Sequence, residues 1–516
     1  MFVRRRNNKS GSTSVQIIDK SSGKYRVVKH IGTADDEAEI KYLEKLAHRA
    51  IPDLSNQSSM FDSSAAKEVN NWLADRFQLT KYVAIGYLEV FGKIYSEIGY
   101  NNVITGKLIQ ALVIARIVKP HSKLATHRWL NMKLGMDISK DTIYRLMDTL
   151  GKEEEQKISD HTYKFFRKII GQKIHMIFFD ATTLHFETFD SDSFRKTGFS
   201  KVGKHNQPQI VVGLMVTREG LPIGYDVFPG NKFDGYTIRS ALSRVSRRYG
   251  TERVVFVADS GMLSGENIKL IEEAGFDYIM ASRIKSYSHE ITDMILDPTN
   301  YKDDIWEYSL SSRSRLVMSY SEERARKDAA DRERNVEQIK KRLTKRQKIT
   351  SSKMGKIGKS KYLVVSGDAA VDVNYQAIRE DAKWDGLKGY VTNISKKELP
   401  ASEVIGKYTQ LWQVEKAFRV SKGDLQMRPI YHYKRERIRA HILLVFMSLA
   451  VSRYTEMKLK ALGVSTKRLV EILETIQEIT LSDRENGYSF QIRPETTDLI
   501  REIYESLDLS TKTGIF

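Results

Sequence analysis

The stretch KIHMIFFDATTLHFE, residues 173–187, is an apolar run typical of a buried β-strand, yet it carries Asp180 in its middle. A carboxylate in such a strand is costly unless another group compensates its charge. Either Asp180 lies at a solvated or ion-paired edge, or the strand contributes to a functional site. The segments that follow favour the second interpretation.

The next hundred residues predict a mixed sheet. Two apolar runs hinged at an Arg-Glu-Gly turn (208–228) make an antiparallel meander with the first strand. A helix (236–250), a continuous apolar strand of the parallel kind (253–261), a capped helix (264–275) and another strand (277–284) come next. Three meandering strands, helix, strand, helix, strand is the order that a ribonuclease-H-like sheet of five strands needs.

In such a sheet the central strand and the first parallel strand are neighbours, so Asp180 and Asp259 can face one site. Two close carboxylates repel each other and take up protons unless divalent cations compensate them. Oxygen ligands without cysteine select Mg²⁺ or Mn²⁺. The sequence thus suggests a phosphoryl-transfer site with two ions, although Asp259 alone also fits a residue that caps the next turn.

A third carboxylate, Glu415, is expected from a helix packed on the sheet, within 408–432. Helical spacing predicts that one face of this helix also carries Tyr408, Leu411, Arg419 and Lys422. An exposed ladder of ion pairs is the alternative explanation of this face. The aromatic residues on the other faces, Trp412 and Phe418, are expected in the core.

The composition restricts the class of protein. The 516 residues include 84 Lys and Arg against 65 Asp and Glu, a formal net charge of +19, which favours a nucleic-acid partner. The absence of cysteine disfavours disulfides and thiolate metal sites, and no signal peptide is recognisable, so a cytoplasmic, nucleoid-associated place is expected. The most apolar stretch, 441–451, is far shorter than a membrane span of about 20 residues.

The amino-terminal part is predicted as a β-hairpin (1–34) followed by an α-helical region (35–170) that binds DNA ends. Within it, residues 122–151 form two amphipathic helices around a short turn, which is typical of a helix-turn-helix and also of an ordinary helical hairpin. Ser139 is placed to cap the second helix. That helix is expected to present to DNA the side chains of Lys140, Thr142 and Arg145.

Beyond Asp259 the chain runs 156 residues to Glu415, which indicates an insertion in the catalytic core. A long charged helix (321–348), basic from Lys340 onward, suits DNA backbone or is simply solvated. Asp385 is interpreted as a turn residue rather than a fourth catalytic acid. The predicted organisation is a catalytic core at 171–285 and 386–460, an insertion domain at 286–385 and an α-rich carboxy-terminal segment at 461–516.

These motifs resemble a known family. The chain is similar to DDE transposases of bacterial and archaeal insertion sequences, in the cut-and-paste superfamily with a Tyr-x2-Arg-x3-Glu-x6-Lys signature. Tyr408, Glu415 and Lys422 match the signature, and the blocks DATTLHFE, ADSGMLSGEN and FPGN match the surroundings of the first two acids. The resemblance runs from about residue 173 to 455. One position departs, since Leu411 occupies the place of the arginine.

The resemblance implies a catalytic triad of Asp180, Asp259 and Glu415 that binds two Mg²⁺ or Mn²⁺ ions. It also implies cleavage at the element ends and joining to target DNA, with double-stranded terminal repeats and target as partners and a homodimer on paired ends. Tyr408 and Lys422 are expected to contact DNA, and Arg419 is a candidate substitute for the missing arginine. A nuclease that does not transpose and a non-catalytic DNA-binding descendant are the alternatives. His185 and His205 are interpreted as surface or DNA-contacting residues.

Overall fold

The chain forms two compact units. The computed structural model describes residues 1–8, 11–20, 23–54, 72–170, 176–198, 206–231, 242, 254–344, 349–350, 360–366, 369–511 and 513–515. Most of the helix expected at 236–250 and also His205 lie outside these residues. The units comprise Met1–Thr80 with Thr480–Phe490, and Lys81–Ile479 with Gln491–Phe516.

The first unit begins with an antiparallel sheet in the order β1-β2-β3, formed by Phe2–Asn7 (β1), Thr13–Asp19 (β2) and Arg26–Ala34 (β3). Helix Glu37–Leu54 (α1) closes over it, and Arg5 Nε donates to Glu44 Oε1 at 2.6 Å. The small core consists of Val15, Ile17, Ala34, Ile40 and Ala47. The predicted hairpin corresponds to β2 and β3, to which β1 adds a third strand.

The second unit starts with a helical layer. After strand Phe77–Val83 (β4) come Ile85–Ile98 (α2), Lys107–Val118 (α3), Lys123–Leu134 (α4), Lys140–Thr149 (α5) and Lys152–Ile170 (α6). Ser139 caps α5 by accepting from Thr142 N at 3.2 Å, and Gly135 ends α4 with a φ of 59°, in the left-handed region that favours glycine. The two helices predicted at 122–151 are therefore confirmed as α4 and α5.

The centre of the second unit is a mixed sheet. Its first strands are Met176–His185 (β5), Gln209–Val216 (β6), Pro222–Pro229 (β7), Val255–Ala258 (β8) and Asp277–Ala281 (β9). β5, β6 and β7 form the predicted antiparallel meander, while β8 lies parallel to both β5 and β9. Helix Gly265–Glu273 (α7) connects β8 to β9, with Ser264 as its N-cap.

The predicted insertion, residues 286–385, is not a separate domain over its whole length. After helix His289–Leu296 (α8), strands Ile305–Ser309 (β10) and Arg315–Tyr320 (β11) form an antiparallel pair. A small subdomain follows, made of Glu322–Thr344 (α9), Ile349–Thr350 (β12), Leu363–Ser366 (β13), Ala369–Val373 (β14) and Tyr375–Ala382 (α10). Its core contains Ile339, Tyr362, Leu363 and Val373.

Strand Leu387–Thr392 (β15) returns to the main sheet and pairs antiparallel with β9 on one side and β11 on the other. The complete order is β10-β11-β15-β9-β8-β5-β6-β7. The prediction of five strands was wrong, because β15, β11 and β10 extend the sheet beyond β9. Part of the predicted insertion is therefore an edge of the main sheet.

Three helices follow, Ala401–Thr409 (α11), Trp412–Lys422 (α12) and Arg435–Lys458 (α13). The apolar stretch 441–451 lies within α13, which is buried on all sides from Ile438 onward and packs against α2, α3, α5, α6, α12 and β7. A helix that is apolar all round is a core helix in a globular protein. No helix among the described residues is both long and apolar enough to cross a membrane.

The carboxy-terminal segment contains strands as well as helices, although it was predicted as α-rich. Its elements are Thr466–Leu473 (α14), Glu478–Asp483 (β16), Ser489–Arg493 (β17), Asp498–Ser506 (α15) and Gly514–Ile515 (β18). The short strands lie in a sheet of order β18-β17-β16-β4. Pairing with β4, about 400 residues earlier, is a non-local contact that local periodicity does not reveal.

Candidate active site

Asp180 and Asp259 occupy equivalent positions on neighbouring parallel strands. β5 and β8 are in register with Phe178 opposite Val257, so each aspartate lies two residues beyond this pair. Adjacent strands in a sheet are about 4.8 Å apart, and residues in register point to the same face. Asp180 and Asp259 therefore have corresponding positions along neighbouring strands, with Asp259 directly after the last residue of β8.

The two aspartates differ in environment. Asp180 is half-buried within β5 and its Oδ1 accepts from Ala181 N at 2.7 Å. Asp259 is exposed at the end of β8, where its Oδ1 accepts from Ser260 N at 2.6 Å and caps a short 3₁₀ turn. Asp259 thus caps this turn through Oδ1, and its Oδ2 is not used in the cap.

Tyr408 and Glu415 lie on two different helices, which corrects the prediction of one continuous helix. α11 ends at Thr409 and α12 begins at Trp412. Between them the chain makes a tight turn, in which Leu411 N donates to Tyr408 O at 2.9 Å and Val414 N to Leu411 O at 3.1 Å. α12 packs against β5 and β6, whereas α11 packs against β8, β9, β10, β11 and β15.

Tyr408 is influenced electrostatically by all three predicted acids. Burial raises the pKa of its phenol above the ordinary value, and the charges of Asp259, Glu415 and Asp180 raise it further. Each carboxylate must lie near the phenol to have this effect. The ring also packs against Tyr390 of β15, with centroids 4.8 Å apart. Tyr408 thus lies within electrostatic reach of Asp180, Asp259 and Glu415.

Lys422 is fixed at the other end of α12. Its Nζ donates to Thr182 Oγ1, and it lies 5.4 Å from the centroid of the Phe418 ring. Thr182 follows Asp180 by two positions on β5, so both project to the same face of the sheet. Glu415 and Arg419 are exposed on the same helix. The ammonium group of Lys422 thus belongs to the edge of the carboxylate cluster.

The position of the signature arginine is part of the core. Leu411 is only 6% exposed, which explains the apolar residue there, since an unpaired guanidinium would be costly to bury. The expectation for Trp412 was wrong, because its side chain is 49% exposed. The break before α12 rotates Trp412 away from the core, whereas Phe418 is buried as expected.

Other predicted residues are distributed more widely. Lys140 and Arg145 are exposed on α5. Asp385 pairs with Arg332 of α9, Nη2 to Oδ2 being 2.6 Å, which agrees with a structural turn residue. His185 is 6% exposed, so its interpretation as a surface residue was wrong; it ends a strand buried between β6 and β8.

The comparison with protein families concerns this same region. Residues 171–451 match the family model of the transposase DDE domain, which is more than half of the chain. The chain belongs to the transposase DDE domain family. It is a DNA transposase, an enzyme that cleaves DNA and transfers strands. No match was found among curated protein sequences.

The comparison with solved structures matched two transposase complexes, among others. One is a piggyBac transposase synaptic complex with hairpin DNA, with 12% identity, a TM-score of 0.39 and coverage of 75% of this chain and 76% of that one. The other is a Mos1 transposase paired-end complex with the left transposon end, with 12% identity, a TM-score of 0.15 and coverage of 31% and 58%.

The donor atoms of the transposase site suit a hard divalent cation, the cofactor that this family generally uses. All three acids offer carboxylate oxygens, and the chain has no cysteine. Among the described residues, however, no group of three or more His, Asp or Glu side chains stands close enough together to hold an ion. The three acids therefore fit such a cation by the chemistry of their oxygen atoms alone.

Two residues of the transposase site were missed in the sequence. Thr182 contacts Lys422, and Tyr390 supports the ring of Tyr408. The period of two along β5 was enough to place Thr182 beside Asp180, because alternate residues of a strand share a face. The sequence around Tyr390 did not indicate a contact with Tyr408. This contact depends on the pairing of β15 with β9, which are separated by a long insertion.

Proposed function

We propose that this transposase serves an insertion sequence and that Asp180, Asp259 and Glu415 are its catalytic, metal-binding triad. The parallel register of β5 and β8, which gives Asp180 and Asp259 corresponding positions on neighbouring strands, is the observation that supports the proposal most directly. The order of β7, β6, β5, β8 and β9 is that of a ribonuclease-H-like core, which we infer as the catalytic fold. The domain boundaries given by the sequence are adopted with it, except that β10 and β11 belong to the main sheet.

The carboxylates, Tyr408 and Lys422 each have a separate role in the proposed reaction. The three carboxylates would hold two Mg²⁺ or Mn²⁺ ions, which supply Lewis-acid activation of water or a 3′-hydroxyl and stabilise the leaving oxygen. Tyr408 keeps its proton because its pKa is raised, and it can donate a hydrogen bond to a phosphate oxygen. Lys422, anchored by Thr182, contributes positive charge next to the scissile phosphate.

The proposed DNA contacts extend beyond the triad. Arg419 is exposed one turn beyond Glu415 on α12 and is suited to the phosphate contact that Leu411 does not make. Lys140 and Arg145 are exposed on α5, the second helix of the predicted helix-turn-helix, and are assigned to the element ends. Double-stranded terminal repeats and target DNA are the proposed partners, with a homodimer formed on paired ends.

The test is cleavage of a DNA fragment that carries the gene's own flanking ends, with Mg²⁺ or Mn²⁺ and with EDTA. We expect Glu415→Gln to reduce cutting by roughly 1,000-fold or more while DNA binding persists, because the substitution removes a charge and not a side-chain volume. The matched control is Glu403→Gln, an exposed acid on α11. Equal cutting by wild type and Glu415→Gln would remove Glu415 from the triad.

A further inference from the structure

Two cations are buried in the helical layer without a counter-charge. Arg116 on α3 is 4% exposed and Lys123 on α4 is 5% exposed. Within the described part of the chain, neither side chain makes a hydrogen bond or an ion pair. Burial lowers the pKa of Arg116 to about 10, and burial together with the charge of Arg116 lowers that of Lys123. An uncompensated buried charge is costly, which suggests that a ligand compensates these two.

Arg116 and Lys123 line the same small cavity. Its volume is about 80 Å³, and its wall also includes Tyr144, His432 and His441. This space exceeds what a single ordered water needs. None of the residues that line it is an aspartate or a glutamate. The cavity is therefore built for a small anion in both size and charge.

The amino-terminal end of α4 points to the same ligand. Ser122, on the cavity wall, is the N-cap of α4, a helix of 12 residues whose first backbone N–H groups carry partial positive charge. His441 Nε2 lies 3.0 Å from Met427 O, and its buried Nδ1 has no hydrogen-bond partner among the described residues. Burial, together with the charges of Arg116 and Lys123, lowers the pKa of His441, so the ring is neutral, Nε2 donates to the Met427 carbonyl and Nδ1 is an acceptor.

The entrance of the cavity has the chemistry of a nucleic-acid surface. Tyr431, on the wall, is 63% exposed. The surrounding segment also exposes an aromatic residue and three cationic residues, namely Tyr433, Arg428, Lys434 and Arg435. Aromatic and basic residues together suit a DNA strand, which offers both bases and phosphates. This segment directly follows α12, the helix of Glu415 and Lys422.

We propose that this cavity binds one phosphate of the DNA backbone, with Arg116 and Lys123 as its charged ligands. The inference rests on the proposed function for the identity of the polyanion and adds a DNA contact outside the carboxylate site. The phosphate neutralises two cations whose burial is otherwise uncompensated. The same contact fixes the position of the duplex relative to α12.

The first experiment uses the full chain without DNA or metal. The melting temperature is measured in inorganic phosphate and in chloride at equal ionic strength, for wild type, Lys123→Met, Arg116→Gln and Lys119→Met. We expect phosphate to stabilise wild type and the control Lys119→Met, an exposed cation before α4. Lys123→Met and Arg116→Gln should lose this response while being at least as stable as wild type in chloride.

The second experiment measures binding of an end-containing duplex by fluorescence anisotropy. Lys123→Met is expected to weaken binding about tenfold and to reduce the slope of affinity against salt by about 1. Lost phosphate response with unchanged DNA binding would assign the cavity to a free phosphate compound and overturn the DNA contact. Absence of phosphate stabilisation in wild type, or Lys123→Met and Arg116→Gln both destabilised in chloride, would overturn the anion site.

These outcomes are separable from the proposed catalytic function. Glu415→Gln should keep the full response to inorganic phosphate, because its side chain is not part of the cavity wall. A wild-type chain that cleaves DNA but ignores phosphate refutes only the cavity. A chain that responds to phosphate but never cleaves DNA refutes only the triad.

Discussion

Tyr408 keeps its proton, and in the proposed site it serves as a hydrogen-bond donor. Its pKa is raised by burial first and then by Asp259, Tyr390, Glu415 and Asp180, so the phenol keeps its proton in neutral and mildly basic solution. A neutral phenol close to a reacting phosphate can stabilise developing negative charge by a hydrogen bond. If Tyr408 has this role, its substitution changes the rate of cleavage and leaves the charge of the site unchanged.

Tyr408→Phe is expected to slow single-turnover cleavage by about 100-fold, since one preorganised donor is lost. The wild-type rate should show no titration from Tyr408 between pH 7 and 9.5, because a raised pKa keeps the proton bound throughout this range. The rates are measured in parallel with Tyr375→Phe, a control in which the tyrosine is 51% exposed. An unchanged rate in Tyr408→Phe would contradict the proposed donor.

Leu411 shows why this chain departs from the family signature. An arginine at this buried position would lack a counter-charge, so Leu411→Arg is expected to lower the free energy of unfolding by about 2–4 kcal/mol. The neighbouring Trp412→Arg changes an exposed position and should cost far less. Chemical denaturation of the two variants makes the comparison. Equal stabilities would mean that the turn before α12 opens to accommodate the arginine.

At the level of elements, the pair of Arg332 and Asp385 attaches α9 to the turn before β15. The side chains are 11% and 17% exposed, and Asp385 raises the pKa of Arg332 by hydrogen bonding. We expect Asp385→Asn to lower stability by about 1–3 kcal/mol without reducing cleavage. The exposed pair Glu337 and Lys341 is the matched control, and Glu337→Gln should change stability by less than about 0.5 kcal/mol. Loss of cleavage at full stability would make Asp385 a catalytic acid after all.

Some elements could be predicted because their signal is local. The apolar runs of β5 and β8 gave the central strands, and the cap at Ser139 gave the start of α5. The break between α11 and α12 had no such signal, since residues 409–412 contain neither glycine nor proline. It results from Leu411 turning into the core.

The edge of the sheet and the buried cations escaped prediction for a different reason. β10 and β11 are short, and their place depends on pairing with β15 more than 70 residues later. Arg116 and Lys123 meet His432 and His441 only because α3, α4 and α13 pack together. Contacts between distant segments are set by tertiary packing, which periodicity along one segment does not contain.

The whole molecule carries a net charge of +19, which acts on DNA before any specific contact forms. Duplex affinity is expected to fall by about 1,000-fold between 50 and 200 mM salt if some six phosphates are neutralised. Titrations in chloride at several concentrations measure this slope. Asp180→Asn and Glu415→Gln should retain it, because neither removes a cation. Affinity that hardly changes with salt would contradict a binding mode dominated by phosphates.

The place where the chain leaves and rejoins the main sheet has a consequence for the evolution of this protein. Tyr320 and Leu387 pair across β11 and β15, Ser321 N donates to Gly386 O at 3.1 Å, and Gly386 has a φ of 80° with no room for a side chain beside Ser321. The intervening excursion thus has adjacent ends, like the two sides of a hairpin. An excursion attached in this way can change in length or content while the strands that carry the acids keep their register. We therefore expect related proteins to differ in this segment more than in the strands.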